Sequence, residues 1–414
     1  MTAPPPNLAG ADWLAAPAVR RVFAVLSGEG AEARVVGGAV RNALMGLPVT
    51  DIDFGTTATP DAVAARAAAA GIKVVPTGIE HGTLTLVVHG RPFEVTTLRR
   101  DIETDGRRAL VRFGSDWDAD ARRRDFAVNA LSVDADGKVH DPIGGYDDII
   151  AGRIRFIGDP GRRIAEDRLR ILRFFRFHAE YGKGDIDAGG LAAVMRARNG
   201  LRDLSAERVG QEMRRLVVAP RAVETVTLMQ EAGILPIVFA GIGYLGPFQR
   251  LARFEAAVAV PASAPLRLAA LACRVEEDLA RITGRLRLAN AERDRIGAAL
   301  AAARSLTPPP DARGARRALY GHGAGAYRDG VALAFAWSEA ATDDPLWREL
   351  ARLPDRWTAP QFPLGGRDVV GGGRAPGPAV GALLAAVEAW WIEQDFAPDG
   401  AALRRRLQQM MAEQ

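Results

Sequence analysis

Residues 33–54, ARVVGGAVRNALMGLPVTDIDF, decide how this chain is read. Ala33 to Val36 is a short apolar strand that runs into Gly37-Gly38, about two helical turns follow, and a second strand carries Asp51 and Asp53. Alternate side chains of a strand share a face, so the two carboxylates project together while Ile52 and Phe54 enter the core. Gly37 and Gly38 let backbone approach a ligand, and the helix opening after them offers free N–H groups and a positive dipole end to an anion. The spacing predicts a site with phosphate on one side and a divalent metal on the other.

Working outward, 414 residues allow two or more domains with a sizeable core. A hydrophobic fraction of 48% and a charged fraction of 25% belong to an ordinary globular chain. No apolar run is long enough to span a bilayer, and the start, with Pro4, Pro5 and Pro6, lacks the pattern of a signal peptide, so a cytoplasmic location is expected. Cys273 is the single cysteine, which excludes an internal disulfide framework. The net charge of +4 is too small to argue nucleic-acid binding by itself. With only Lys73, Lys138 and Lys183 as lysines, nearly all positive charge is arginine, which GC-rich codon usage explains and which also suits bidentate phosphate contacts.

Along the chain, Pro17 to Ser27 reads as an amphipathic helix, Thr59-Pro60-Asp61 caps an alanine-rich helix to Ala70, and Ile72 to Val75 reads as a strand. Thr83 to Val88 and Phe93 to Leu98 form a hairpin around residues 89–92, with Glu94 on the face that can approach the two aspartates as a supporting carboxylate. Leu98 to Asp120 is polar and reads as a long surface loop. In the segment after it, Arg124 can meet a phosphate, Asn129 can hydrogen-bond a ribose hydroxyl, and Asp125 can add a third carboxylate or orient an arginine. His140-Asp141-Pro142 is read as a turn, since a metal-dependent phosphohydrolase would need more ligands than five scattered histidines offer. From Ile154 the pattern is helical almost throughout. In residues 166–180, read as one amphipathic helix, Asp167, Arg170 and Arg173 share an arc while Leu169, Leu172 and Phe175 fall on the other side. Ser205 caps a further helix, Pro308-Pro309-Pro310 mark a break, and Trp390 and Trp391 on the last long helix read as core.

Gly-Gly-x-Val-Arg, then Leu-x-Gly, then Asp-x-Asp resembles the first motif of the tRNA CCA-adding enzymes and bacterial poly(A) polymerases of the nucleotidyltransferase superfamily. The sequence departs from it at Asn42, where the family more often has Asp. Arg124, Asp125 and Asn129 are similar to the family's Arg-Asp-x-x-x-Asn motif, and Glu166-Asp167 through Arg176 to its Glu-Asp-x-x-Arg-x-x-Arg-x-x-Arg motif, with Arg168 where Pro is common. Residues 99–107 resemble the loop implicated in switching from CTP to ATP, and Leu204 to Arg208 a fifth motif that braces the base-reading helix.

The resemblance implies an α+β chain: a nucleotidyltransferase head over 1–153 with a mostly antiparallel sheet, a helical neck over 154–222 and a helical body and tail over 223–414 that bind tRNA. It implies template-independent addition of CCA to tRNA 3′ ends from CTP and ATP, with two Mg²⁺ held by Asp51 and Asp53. Gly37, Gly38 and Arg41 hold the triphosphate, Arg124 and Asn129 the phosphate and sugar, and Asp167 and Arg170 read the base, with Arg173 and Arg176 completing the nucleotide surface. A carboxylate beside a guanidinium fits the pairing edge of cytosine and, reoriented, of adenine. The alternatives are a poly(A) polymerase, a partial enzyme adding only C or only A, and a non-catalytic RNA-binding protein on the same scaffold. Residues 76–83 resemble the CCA-adding form, which speaks against the polymerase.

Overall fold

The structure, a computed structural model, describes residues 4–78, 82–104, 109–371 and 377–413, and it divides into two compact units, 1–241 and 242–414. Part of the segment that separates the CCA-adding form from the polymerases (residues 79–81) and the tip of the loop implicated in nucleotide switching (105–108) lie outside the described residues.

After a single helical turn (Asp12–Ala15), the first long helix of the first unit is α1 (Pro17–Leu26), whose Val19, Val22, Phe23 and Leu26 are buried as the spacing requires. Then come β1 (Ala33–Val36), α2 (Gly38–Leu44), β2 (Asp53–Thr56), α3 (Pro60–Ala69), β3 (Lys73–Gly78), β4 (Thr83–Val88) and β5 (Arg91–Thr97). With β8 (Ser132–Val133) and β9 (Val139–His140) the strands form one sheet in the order β3-β4-β5-β2-β1-β8-β9, antiparallel except where β2 runs parallel to β5. The α+β architecture with a mostly antiparallel sheet is as expected. Phe54, edge-on to Phe23 and Phe93, anchors the middle of the sheet against α1.

Three local readings change. Asp51 stands just ahead of β2 and not within it, although the alternation holds, with Ile52 and Phe54 buried and both aspartates exposed. The hairpin turn is the two residues His89-Gly90, both at positive φ, so pairing begins at Val88 and Arg91; the mirror-image turn matches the strand twist. The polar stretch 98–120 carries its own two-stranded hairpin, β6 (Arg99–Thr104) with β7 (Ala109–Phe113), followed by α4 (Trp117–Arg122), capped by the Asp116 side chain on Ala119 N–H. Its lack of apolar alternation hid the strands, because a two-stranded ribbon need not bury a face.

Beyond α5 (Gly145–Ala151), held by Asp141 accepting from the N–H groups of Gly145 and Tyr146, the unit is helical. Residues 166–180 are not one helix. α6 (Pro160–Glu166) ends before Asp167, whose backbone is extended, and α7 (Arg170–Tyr181) begins after it. Asp167 Oδ1 accepts from Leu169 N–H, a turn that acidic residues favour over helix interiors. α8 (Ala188–Ala197), α9 (Ala206–Val217), α10 (Ala222–Glu231) and α11 (Leu235–Phe239) complete the unit; Ser205 occupies the cap position of α9 without a side-chain cap bond.

The second unit is all helical: α12 (Leu245–Ala257), α13 (Ala264–Ala272), α14 (Glu276–Leu286), α15 (Asn290–Ser305), α16 (Ala312–Trp337), α17 (Pro345–Arg356), α18 (Gly366–Gly371), α19 (Pro378–Glu393) and α20 (Gly400–Ala412). α16 breaks at Gly323, whose φ of 75° and ψ of 160° are non-helical. Before the break Tyr320 packs on Trp391 and Phe396, and after it Phe335 stacks on Phe254. Trp391 is buried with Leu383, Val387, Leu403 and Leu407, and Trp390 packs against that cluster, in line with the core reading of both tryptophans.

Candidate active site

A cleft of about 590 Å³ in the first unit gathers nearly every residue singled out from sequence: Gly37, Gly38, Arg41, Asp51, Asp53, Arg124, Asp125, Asn129, Asp167, Arg170, Arg173 and Arg176. Glu94 is outside its lining.

At one wall, Asp53 enters β2 with its carboxylate open to solvent. Crowding by surrounding protein, then the charges of Glu94 and Asp51, push its pKa up to about 6. Among the described residues none of the three carboxylates has an ion-pair partner. Nor do any three acidic or imidazole side chains among them converge as a complete ligand set. Two acceptor-only carboxylates with no cation of their own fit a hard divalent ion that takes its remaining ligands from substrate phosphate and water.

At the next wall the Gly-Gly turn works differently from expectation. Gly37 N–H is already donated to Leu131 O, and α2, at seven residues, is too short for a strong terminal field. Gly37 is needed for its φ of +71° and because a Cβ there would lie 3.2 Å from the Arg124 guanidinium. Arg124 is steadied by Asp120 Oδ2, at 3.2 Å from Nε and 3.0 Å from a terminal nitrogen. Burial alone would raise Asp120, and Arg124 and Arg123 more than reverse that, so its carboxyl is held below the usual range.

Asp125 is buried and engaged: Oδ2 accepts from Arg173 Nε at 2.7 Å, and Oδ1 accepts from Asn129 Nδ2 at 3.1 Å and Phe126 N–H at 2.9 Å. Burial opposes its charge, but Arg173 and these hydrogen bonds outweigh burial and lower its pKa. Of its two sequence-based roles these are the contacts of an arginine holder. Arg176 is also tied down, with Nε on Glu212 and a terminal nitrogen 2.7 Å from Glu180, and only 1% of it is exposed. Asp167 Oδ2 accepts from Arg208 at 2.7 Å, and Arg170 donates to Glu166 and to Arg163 O. Both base-reading candidates thus already have protein hydrogen-bond partners.

Sequence reading missed Tyr181. It lines the cleft, its ring lies 4.0 Å below the Arg41 guanidinium carbon, and its hydroxyl accepts from Arg41 at 2.9 Å. The signal was there: Arg173, Phe177 and Tyr181 recur every four residues on α7 and so form one stripe facing α2.

With this geometry in place, comparison is informative. The Poly A polymerase head domain family matches residues 33–155, and the family described as the probable RNA and SrmB-binding site of polymerase A matches 185–244. The chain is 31% identical over 386 residues to CCA tRNA nucleotidyltransferase 1, mitochondrial, of Homo sapiens, covering 89% of this chain and 84% of the relative. It is 38% identical over 212 residues to the CCA-adding enzyme of Geobacillus thermodenitrificans, covering 50% and 51%. Among solved structures, the Bacillus stearothermophilus CCA-adding enzyme in complex with CTP superposes with a TM-score of 0.75 at 27% identity, over 96% of this chain and 98% of that one. The Thermotoga maritima CCA-adding enzyme complexed with tRNA shares the fold, with a TM-score of 0.73 at 19% identity over 98% and 99%.

Proposed function

The chain belongs to the family of CCA-adding tRNA nucleotidyltransferases, and from that premise we propose how its own residues build the CCA end of tRNA from CTP and ATP. The observation that carries the reading is the meeting, in one cleft, of two aspartates without an ion-pair partner among the described residues, an arginine-lined turn, and a carboxylate and a guanidinium at the junction of two helices opposite. The RNA 3′-hydroxyl attacks the α-phosphate of the nucleotide, the new phosphodiester forms, and pyrophosphate leaves.

Asp51 and Asp53 would hold Mg²⁺, whose chemistry there would be to activate the hydroxyl and offset charge on the triphosphate. Glu94 acts on this pair through its charge. Gly37 and Gly38 admit the triphosphate, Arg41 and Arg124 contact it, and Asn129 takes the ribose. Asp125 holds Arg173 and Asn129 in place, and Arg176 supports the same surface from beneath. Asp167 and Arg170 read the base, each giving up or sharing its present partner, Arg208 or Glu166, as the base arrives. The division into head (1–153), neck (154–222) and body with tail (223–414) is part of this proposal, the last region gripping tRNA by backbone and shape. So is a cytoplasmic site of action.

The test uses purified protein, Mg²⁺ and tRNA lacking its last three nucleotides. Two additions with CTP alone and a third only when ATP is also present are expected. A long A tail from ATP alone, or two Cs with no A, would replace this reading with the polymerase or the partial enzyme. Asp53→Ala should abolish transfer of both nucleotides while tRNA binding, followed by filter retention, stays near wild type; chelation of metal should do the same and Mg²⁺ should restore it.

A further inference from the structure

Arg41 is only 6% exposed, and every hydrogen bond of its guanidinium goes to a neutral oxygen: Asn42 Oδ1 at 3.2 and 2.8 Å, Tyr181 hydroxyl at 2.9 Å, and Asn129 Oδ1. Among the described residues no carboxylate pairs with it directly; Glu180, hydrogen-bonded to Tyr181, and Asp125 act on it only from beyond contact. Buried guanidinium groups usually sit beside an anion, because an uncompensated charge away from water is costly. Here a terminal nitrogen lies 3.6 Å from where a Cβ on Gly38 would be, so the charge is presented at the Gly-Gly corner of the cleft. By contrast Arg124, Arg173 and Arg176 each have a direct ion-pair partner: Asp120, Asp125, and Glu212 with Glu180.

Beside these hydrogen bonds, two aromatic rings keep the group in place. The guanidinium carbon is 4.0 Å from the Tyr181 ring centre and 5.3 Å from that of Phe177, and the two rings stand 5.6 Å apart along α7. A cation over an aromatic face is held without being neutralised, which a carboxylate cannot do. The contacts close a circuit, from Arg173 on α7 through Asp125, Asn129 and Arg41 back to Tyr181 on the same helix.

We propose that Tyr181 is a positioning residue for nucleotide binding: its ring and hydroxyl hold Arg41, with no carboxylate in direct contact, at the Gly-Gly corner so that its charge is available to the triphosphate of whichever nucleotide is being added. The inference rests on the assignment of the triphosphate to Arg41 in the reading above. Because the contact is to phosphate and not to base, Tyr181 serves CTP and ATP alike.

The experiment compares wild type, Tyr181→Phe and Tyr181→Ala by calorimetric binding of CTP, ATP and CMP, alongside steady-state incorporation and thermal melting. Tyr181→Ala is expected to weaken CTP and ATP equally, by about tenfold, with CMP binding and kcat little changed. Tyr181→Phe keeps the stack and should recover most of that loss. Unchanged triphosphate binding in Tyr181→Ala, a loss confined to one nucleotide, or a loss shared by CMP would overturn the proposal. A fall in melting temperature that tracks the loss in both variants would do so too, by marking the role as structural. Wild-type failure to extend tRNA would instead count against the functional reading, and the binding data would still judge Tyr181.

Discussion

Asp125 shows what one side chain does when it is buried between functions. It is 9% exposed and charged, with Arg173 as its counter-ion. Asp125→Ala is expected to cost about 2–3 kcal/mol in denaturant unfolding, below the ~3–5 kcal/mol of a fully buried pair because Arg173 keeps access to solvent. His178 makes a second prediction. Burial first, then the nearby Arg221, lowers its pKa to about 4, against the opposing pull of Glu224 and Asp185. The imidazole is neutral in the fold, whereas unfolded it titrates near 6.5. Between those values the unfolded chain binds the extra proton, so stability is full above about pH 6.5 and declines as pH falls toward 4. Melting scans at pH 7.5 and 5 should show the drop, and His178→Gln should shrink it. At this scale much of the site was legible: Asp51, Asp53, Arg124 and Asn129 announce themselves by type and spacing. Tyr181 was passed over because an aromatic four residues after Phe177 looks like core; its place on the Arg173 stripe was the available signal, and the position of α2 is what makes it a clamp.

Elements were legible where an apolar face fixes the period and illegible where it does not. α1 and β4 follow their spacing because each must bury one side. The 98–120 stretch carries no apolar alternation to show its strands, and the α6–α7 junction hides inside a run whose apolar residues keep helical spacing on both sides of Asp167. The hairpin turn gives the element-scale prediction. His89 is a non-glycine residue at φ 51° and Gly90 sits at φ 77°, a combination that favours Asn-Gly. His89→Asn should raise the melting temperature by a degree or so, and Gly90→Ala should lower stability by about 1 kcal/mol, both read by thermal melting.

For the whole molecule, all the residues lining the cleft belong to the unit 1–241, which has its own core. A fragment of residues 1–241 is expected to melt cooperatively and bind CTP with near full-length affinity while losing most tRNA affinity. A fragment that melts without a transition would remove that expectation. The two units were not legible as such, because the helical pattern beyond Ile154 runs on without a change of composition at Gly241. The sheet order has a last consequence. β2, which delivers Asp53, is the central strand of the seven, hydrogen-bonded by β1 on one flank and β5 on the other, so the backbone that carries this carboxylate is fixed by pairing on both sides. Asp167 is fixed by nothing of the kind; it lies between two helices, with a side-chain partner from a third. If Asp167 reads the base as proposed, the reacting end of the nucleotide meets a wall anchored in a sheet while its lettered end meets one hung on side-chain contacts, an arrangement suited to spelling two letters without a template.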